Sequence, residues 1–170
     1  MLSNPKAKAN LIISVVIIVL GVAIDQITKI IAVTYLVYGK AITIIPYVLN
    51  LNIVRNKGSA FGMGHSWPPV LQKTVLLALP IIAIIVITVI LMKNIKGHRL
   101  MISSFALILG GAIGNVYDRI ASKYVVDFIE VHYKQYHWPN FNFADMIICV
   151  GVGLYIIYSF RSPKKVDAKE

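Results

Sequence analysis

Four long apolar blocks run through this chain, and no water-soluble fold can absorb them. Residues 10–36, 75–92, 100–119 and 143–160 each come close to the roughly 20 residues a helix needs to cross a hydrocarbon core. With 58% hydrophobic and 14% charged residues in a chain of 170, a soluble core of this size could not hide the apolar surface. The chain therefore reads as one integral membrane domain over residues 1–170, with four transmembrane helices joined by two longer polar segments, 37–74 and 120–142. Pro80 is expected to kink the second span without abolishing it. The first block also resembles the apolar part of a secretory signal peptide, since Lys6 and Lys8 precede it. It continues past Asp25, however, and no small-x-small cleavage site follows, so it is read as a retained span.

The net charge of +10 raises nucleic acid as a partner. The basic residues argue against it: Lys6, Lys8, Lys93, Lys96, Arg99, Arg161, Lys164, Lys165 and Lys169 flank the apolar blocks rather than forming a stripe interleaved with aromatics. They read as topology signals. The loop Lys93 to Arg99 holds three Lys or Arg in seven residues, which assigns it, both termini and the C-terminal tail to the cytoplasm. Residues 37–74 and 120–142 then face outward. In the first of these, Leu49, Leu51 and Ile53 alternate with Asn50 and Asn52, the period of a half-buried strand. Pro46 and the Gly58, Gly62 and Gly64 cluster punctuate it, so a small extracytoplasmic β-element with a glycine-rich loop is expected. Trp67, Trp138 and the tyrosines near span ends suit an interfacial belt.

Of seven acidic residues, Asp25, Asp118, Asp127 and Asp145 lie within or beside the spans. A carboxylate in a membrane is costly unless it is paired or faces a polar cavity, so such residues mark function by default. Alternating topology brings all four to one depth, near the outer interface. Local explanations exist for three of them. Asp25 and Lys29 are four apart and can neutralise each other; Asn115, Asp118 and Arg119 share a helix face, where Asp118 and Arg119 can balance; Asn142 and Asp145 have the spacing of an N-cap and its third helical residue. Asp127, between Val126 and Phe128, has no such local explanation.

Two carboxyl groups held close share a proton, so that one acts as base toward water while the other hydrogen-bonds a scissile carbonyl. Other hydrolytic chemistries lack their parts: there is no His-Glu-x-x-His motif, Cys149 lies in an apolar run expected to bury it, and His65, His98, His132 and His137 are scattered over presumed loops. No metal or cofactor is called for. Between the two carboxyls, Asp145 in a first helical turn is expected to be the charged one, and Asp127, in a loop among apolar neighbours, the neutral one.

Taken in order, five segments resemble the motifs of the lipoprotein signal peptidase (signal peptidase II) family. They are Asp25 to Lys29, Asn56 to Gly62, Gly110 to Arg119, Val125 to Phe128 and Phe141 to Asp145. The resemblance implies a bacterial membrane aspartyl endopeptidase that removes the signal peptide from diacylglyceryl-modified prolipoproteins, cutting before the lipidated cysteine. It implies catalytic roles for Asp127 and Asp145. Asn56, Gly58, Ala60, Asn115, Arg119 and Asn142 would bind substrate or orient the pair, with Asp25, Lys29 and Asp118 as structural support. It places the enzyme in the cytoplasmic membrane with its site near the outer face, in contact with prolipoprotein and membrane lipid and not with nucleic acid. The stretch Glu130 to Pro139 matches no motif, and nothing in the sequence speaks to oligomeric state. The competing readings are a proton-coupled transporter, which would spread its carboxylates through the membrane depth, and a noncatalytic membrane subunit.

Overall fold

The computed structural model describes residues 4–58 and 68–161. Ala60, Gly62, Gly64, His65 and Trp67 lie outside the described residues, as do Lys164, Lys165 and Lys169. Among the described residues, four helices are long and apolar enough to span a membrane: α1 (Pro5–Tyr35), α2 (Pro69–Lys93, apolar from Thr74), α3 (Arg99–Ala121) and α4 (Phe143–Arg161). Helix α1 starts ahead of the apolar block because Asn4 caps it, its side chain accepting from Lys6 N and Ala7 N, with Pro5 in the first turn. Helix α2 continues through Pro80.

Helix α3 is the hub. It packs against the other three helices and buries most of its own residues, whereas α1, α2 and α4 leave Ile, Val and Leu exposed along their outer faces, including Val19, Ile85 and Ile156. Such a perimeter is stable only against lipid. At one end of the bundle the core is Leu91, Ile95, Met101, Ile102, Phe105 and Leu109. There Asn10, fully buried on α1, donates from Nδ2 to Ile95 O at 2.7 Å and so ties down the α2–α3 turn. At the other end, glycines let α3 approach its neighbours: a Cβ on Gly114 would sit 2.5 Å from Asp25 Oδ2, and one on Gly111 would collide with Ala144 O.

That second end carries an antiparallel sheet in the order β1 (Ile42–Ile45), β2 (Leu49–Asn56), β3 (Val125–Tyr133) and β4 (Tyr136–His137). Strands β1 and β2 meet in a tight turn in which Val48 N donates to Ile45 O at 3.1 Å, Pro46 holds the second position and Tyr47 adopts φ 65. That arrangement is the signature of a type II turn. The alternation at residues 49–53 thus reads correctly as strand. The placement of Asp127 in a loop does not: it is on β3, opposite Val54 of β2. Strand β3 lacks clean alternation because part of it is covered by the helices, which hides the period that marks a strand.

Between Leu51 and Val54 the register of β2 on β3 slips, with Leu51 opposite Ile129 and Val54 opposite Asp127. Three steps on β2 against two on β3 mean a bulge. A bulge turns the residues beyond it to the other face. Asn50 and Asn52 therefore address Glu130, while Asn56 addresses Asp127, although all three share one parity in the sequence.

Candidate active site

Asp127 and Asp145 arrive from different elements. Asp127 projects from near the start of β3 and is 2% exposed. Asp145 stands in the first turn of α4 and is half-buried. Asn142 precedes α4 and forms a reciprocal capping box with it: Asp145 N donates to Asn142 Oδ1 at 3.1 Å, and Asn142 N donates to Asp145 Oδ2 at 3.2 Å. The capping geometry expected from spacing is thus present, and it leaves the amide of Asn142 free to reach elsewhere. Asn142 Nδ2 donates to Asp127 Oδ1 at 2.6 Å and to Asn115 Oδ1 at 3.2 Å. Asn115 Nδ2, from α3, donates to Asp145 Oδ1 at 2.8 Å. Asn56 Nδ2, from β2, donates to Asp127 Oδ2 at 2.9 Å. Asn142 and Asn115 therefore connect the two carboxyls, and Asn56 holds Asp127 from the far side.

Beneath them lies a buried charge network. Lys29 Nζ contacts Asp25 Oδ2 at 2.8 Å, Asp118 Oδ2 at 2.9 Å and Asn115 Oδ1 at 3.1 Å. Asp25 Oδ1 accepts from Ala144 N at 3.0 Å, which anchors the start of α4 to α1. Asp118 Oδ2 also accepts from Val126 N at 3.3 Å, which anchors β3 beside Asp127. The expected Asp25 and Lys29 pair is present. The expected balance of Asp118 with Arg119 is not: Asp118 pairs with Lys29, because consecutive helical residues point about 100° apart. Arg119 instead turns toward the cavity, where Nη1 and Nη2 lie 3.4 Å from Asn115 O and Gly58 O. Gln26, for which spacing suggested no role, donates from Nε2 to both Asp25 Oδ2 and Asp118 Oδ1 at 3.0 Å. Its only sequence signal is a polar amide next to a buried acid.

Both carboxyls open into a cavity of about 920 Å3. Its polar end carries Asn56, Gly58, Asn115 and Arg119; its apolar side carries Val125, Trp138, Phe141, Met146, Ile148 and Val150. Gly58 N donates to Asn56 Oδ1 at 2.9 Å, which orients that amide toward Asp127. Ala60 lies outside the described residues. Cys149 is not buried as expected: it is exposed and lines the cavity, because α4 uses Ala144, Ile147 and Gly151 for packing and leaves position 149 on another face. Of the histidines expected on loops, His98 lies between α2 and α3 as the N-cap of α3, whereas His132 on β3 stacks against His137 on β4 with ring centroids 5.2 Å apart; His65 lies outside the described residues. Among the described residues, no three His, Cys, Asp or Glu side chains converge in a way that could hold a metal ion.

Burial raises the Asp127 carboxyl to about 6 from an ordinary 3.8, and nearby Asp145 pushes the same way; the amides of Asn56 and Asn142 and the more distant Lys29 oppose them without winning. A carboxyl that retains its proton toward neutrality, beside a second carboxyl in a partly wet cavity, has the makings of an acid–base pair.

The family model for signal peptidase II matches residues 17–161, a span that takes in both carboxyls and all the asparagines around them. The chain belongs to the signal peptidase II family. It is 44% identical over 163 residues to a lipoprotein signal peptidase of Sulfurihydrogenibium sp. (strain YO3AOP1), covering 95% of this chain and 97% of that one. To the lipoprotein signal peptidase of Francisella tularensis subsp. novicida (strain U112) it is 38% identical, covering 88% and 92%. The fold is similar to a bacterial membrane enzyme solved by the in meso method, with a TM-score of 0.78 and 32% identity over 92% of this chain and 93% of that one. This member of the signal peptidase II family is accordingly a multi-pass membrane protease of the aspartyl class that acts in lipoprotein processing. The transporter and noncatalytic-subunit readings are not favoured.

Proposed function

We propose that Asp127 and Asp145 form the catalytic pair, and that the chain cuts diacylglyceryl-modified prolipoproteins immediately before the lipidated cysteine, at the outer face of the bacterial cytoplasmic membrane. The observation that carries this reading is the convergence of the two carboxyls, from β3 and α4, at the polar end of one cavity with Asn142 and Asn115 linking them. Asp145 has the wetter position and accepts hydrogen bonds on both oxygens, from Asn115 and from the Asn142 backbone. It takes the role of base, removing a proton from water as the water oxygen adds to the scissile carbonyl. Asp127, raised to about 6, donates its proton to the carbonyl oxygen. Collapse of the tetrahedral intermediate passes the proton on Asp145 to the leaving nitrogen as the C–N bond breaks, while Asp127 takes back a proton from one of the two hydroxyls as the carbonyl re-forms, so the pair is restored and no net charge builds up that the apolar surroundings would have to carry.

The remaining site residues divide by what they touch. Asn56, Asn115 and Asn142 hold the carboxyl orientations, and Arg119 presents a cation to the cavity where a substrate backbone or lipid ester oxygen would lie. Asp25, Lys29 and Asp118 fix α1, α3, α4 and β3 in register around the pair. The apolar side of the cavity suits a signal peptide and acyl chains that reach it from the bilayer, and the carbonyl-rich cut site then meets the polar end. The basic Lys93 to Arg99 loop, opposite the sheet, supports a cytoplasmic location for that end and for both termini. Purified protein offered lipidated and unlipidated prolipoprotein should cleave only the first. Equal cleavage of both would refute the lipid requirement, and cleavage of neither would refute the substrate. Reporter fusions at Lys96 and Ser122 should report opposite sides of the membrane; the same side for both would overturn the orientation.

A further inference from the structure

The sheet has a second polar cluster, on the face away from Asp127, that the catalytic reading leaves unused. Its centre is Glu130. Glu130 and Asp127 are three positions apart on β3, so their side chains leave opposite faces. Glu130 Oε2 accepts from Asn50 Nδ2 at 3.0 Å and Asn52 Nδ2 at 3.2 Å, while Oε1 lies 3.0 Å from His137 Nδ1. Asn52 Oδ1 in turn accepts from Asn140 Nδ2. Partial burial would raise the Glu130 carboxyl, but the Asn50 and His137 hydrogen bonds and the two nearby imidazoles hold it below the usual glutamate range.

What this cluster holds is the chain that leaves β4. Trp138, Pro139, Asn140 and Phe141 line the cavity of the candidate active site, and the next residue, Asn142, donates to Asp127. The backbone of this stretch is tied to β3 at its two ends, by Trp138 N to Val131 O at 2.8 Å and Phe141 N to Ile129 O at 3.1 Å. Flanking and between those ties, His137 and Asn140 fasten it through side chains that converge on Glu130, one directly and the other by way of Asn52. A four-residue wall with only its ends bound would move relative to a substrate; a charged acceptor behind it removes that freedom before binding.

We propose that Glu130 is a positioning residue for the hydrolysis: through His137 and the asparagines it sets the cavity wall 138–141, and so governs how well substrate is held rather than how fast the held substrate is cut. Glu130 does not itself line the cavity, whereas Asp127, from the opposite face of β3, and Asp145 both do. Its loss therefore acts on binding that ground state and transition state share, which raises KM and spares kcat. The inference rests on the proposed assignment of the cavity and its catalytic pair.

The test is steady-state cleavage of a lipidated prolipoprotein in detergent by Glu130→Ala and Glu130→Gln. Asp127→Asn in the same assay checks the catalytic reading separately. Glu130→Ala should raise KM about tenfold and change kcat less than about twofold, the effect of losing one charge-assisted tether from a binding wall. Glu130→Gln keeps an acceptor for Asn50 and Asn52 and offers an amide to His137 but lacks the charge, so its KM should fall between that of Glu130→Ala and the parent value. His137→Ala and Asn50→Ala should each give part of the Ala effect, and adding His137→Ala to Glu130→Ala should give no further rise. They carry the same KM test if Glu130→Ala does not fold. A fall in kcat at constant KM, unchanged kinetics in every variant, or Gln no better than Ala would each overturn the proposal. Retained turnover by Asp127→Asn would instead overturn the catalytic pair and leave the KM comparison standing.

Discussion

Replacing Asp127 with asparagine should change stability in a way that depends on pH, and the size of the change follows from the burial of that side chain. Asp127 is 2% exposed, and its carboxyl is raised from 3.8 to about 6. A group whose folded pKa is raised contributes stability that is fully present below its unfolded value and is lost as pH rises through the folded one. A shift of roughly two pH units corresponds to about 3 kcal/mol, lost between about pH 4 and pH 7. Asparagine does not titrate, so the variant escapes that loss. It suffers a different one: Asn56 and Asn142 both donate to Asp127, and an amide in its place turns an NH2 toward one of those donors, at a pH-independent cost of about 1–3 kcal/mol. The variant should therefore be less stable than the parent at pH 4 and equal or superior above pH 7. Unfolding of both proteins in matched detergent micelles at several pH values measures this, and the difference between them cancels titrations they have in common. A deficit of the variant that stays constant with pH, or that grows as pH rises, would refute the claim that burial holds a proton on Asp127.

The other expectations concern hydrolysis and the charge network. Asp127→Asn and Asp145→Asn should each lower turnover by roughly four orders of magnitude in folded protein, and the double variant should be no worse, since coupled catalytic groups fail together; substantial turnover by either single variant would exclude the pair. Lys29→Met leaves Asp25 and Asp118 as buried acids without their shared cation, and should cost about 3–5 kcal/mol in detergent unfolding, partly recovered by adding Asp25→Asn. An unchanged unfolding midpoint would show that the network is not structural. Bulky maleimides should inhibit by occupying the cavity at Cys149, while Cys149→Ser should keep its hydrolysis and lose that sensitivity. Inhibition that persists in the serine variant would place the reactive group elsewhere.

Much of this architecture is legible in the sequence because the bilayer imposes a one-dimensional rule. A helix must present about 20 apolar residues to cross, so the spans can be counted without knowing what packs on what. The same rule makes the acids at 25, 118, 127 and 145 conspicuous, since a charge near hydrocarbon needs a partner. The capping box of Asn142 and Asp145 and the pairing of Asp25 with Lys29 are likewise local, fixed by spacings of three and four along one helix. Only the tertiary structure decides which local possibility wins when partners come from other elements. Asp118 could have balanced Arg119, but Lys29, far away in the chain on α1, reaches it first across the contact that Gly114 permits. Asn50, Asn52 and Asn56 share one parity and read as one face of a strand; a bulge in β2, produced by its register on β3, sends the first two to Glu130 and the third to Asp127. Strand β3 itself, and with it the placement of Asp127, has no clean period because the helices cover part of it. Spacing along the chain determines what a residue can do within its own turn or strand, whereas pairing between distant segments depends on packing energies that no window of sequence contains.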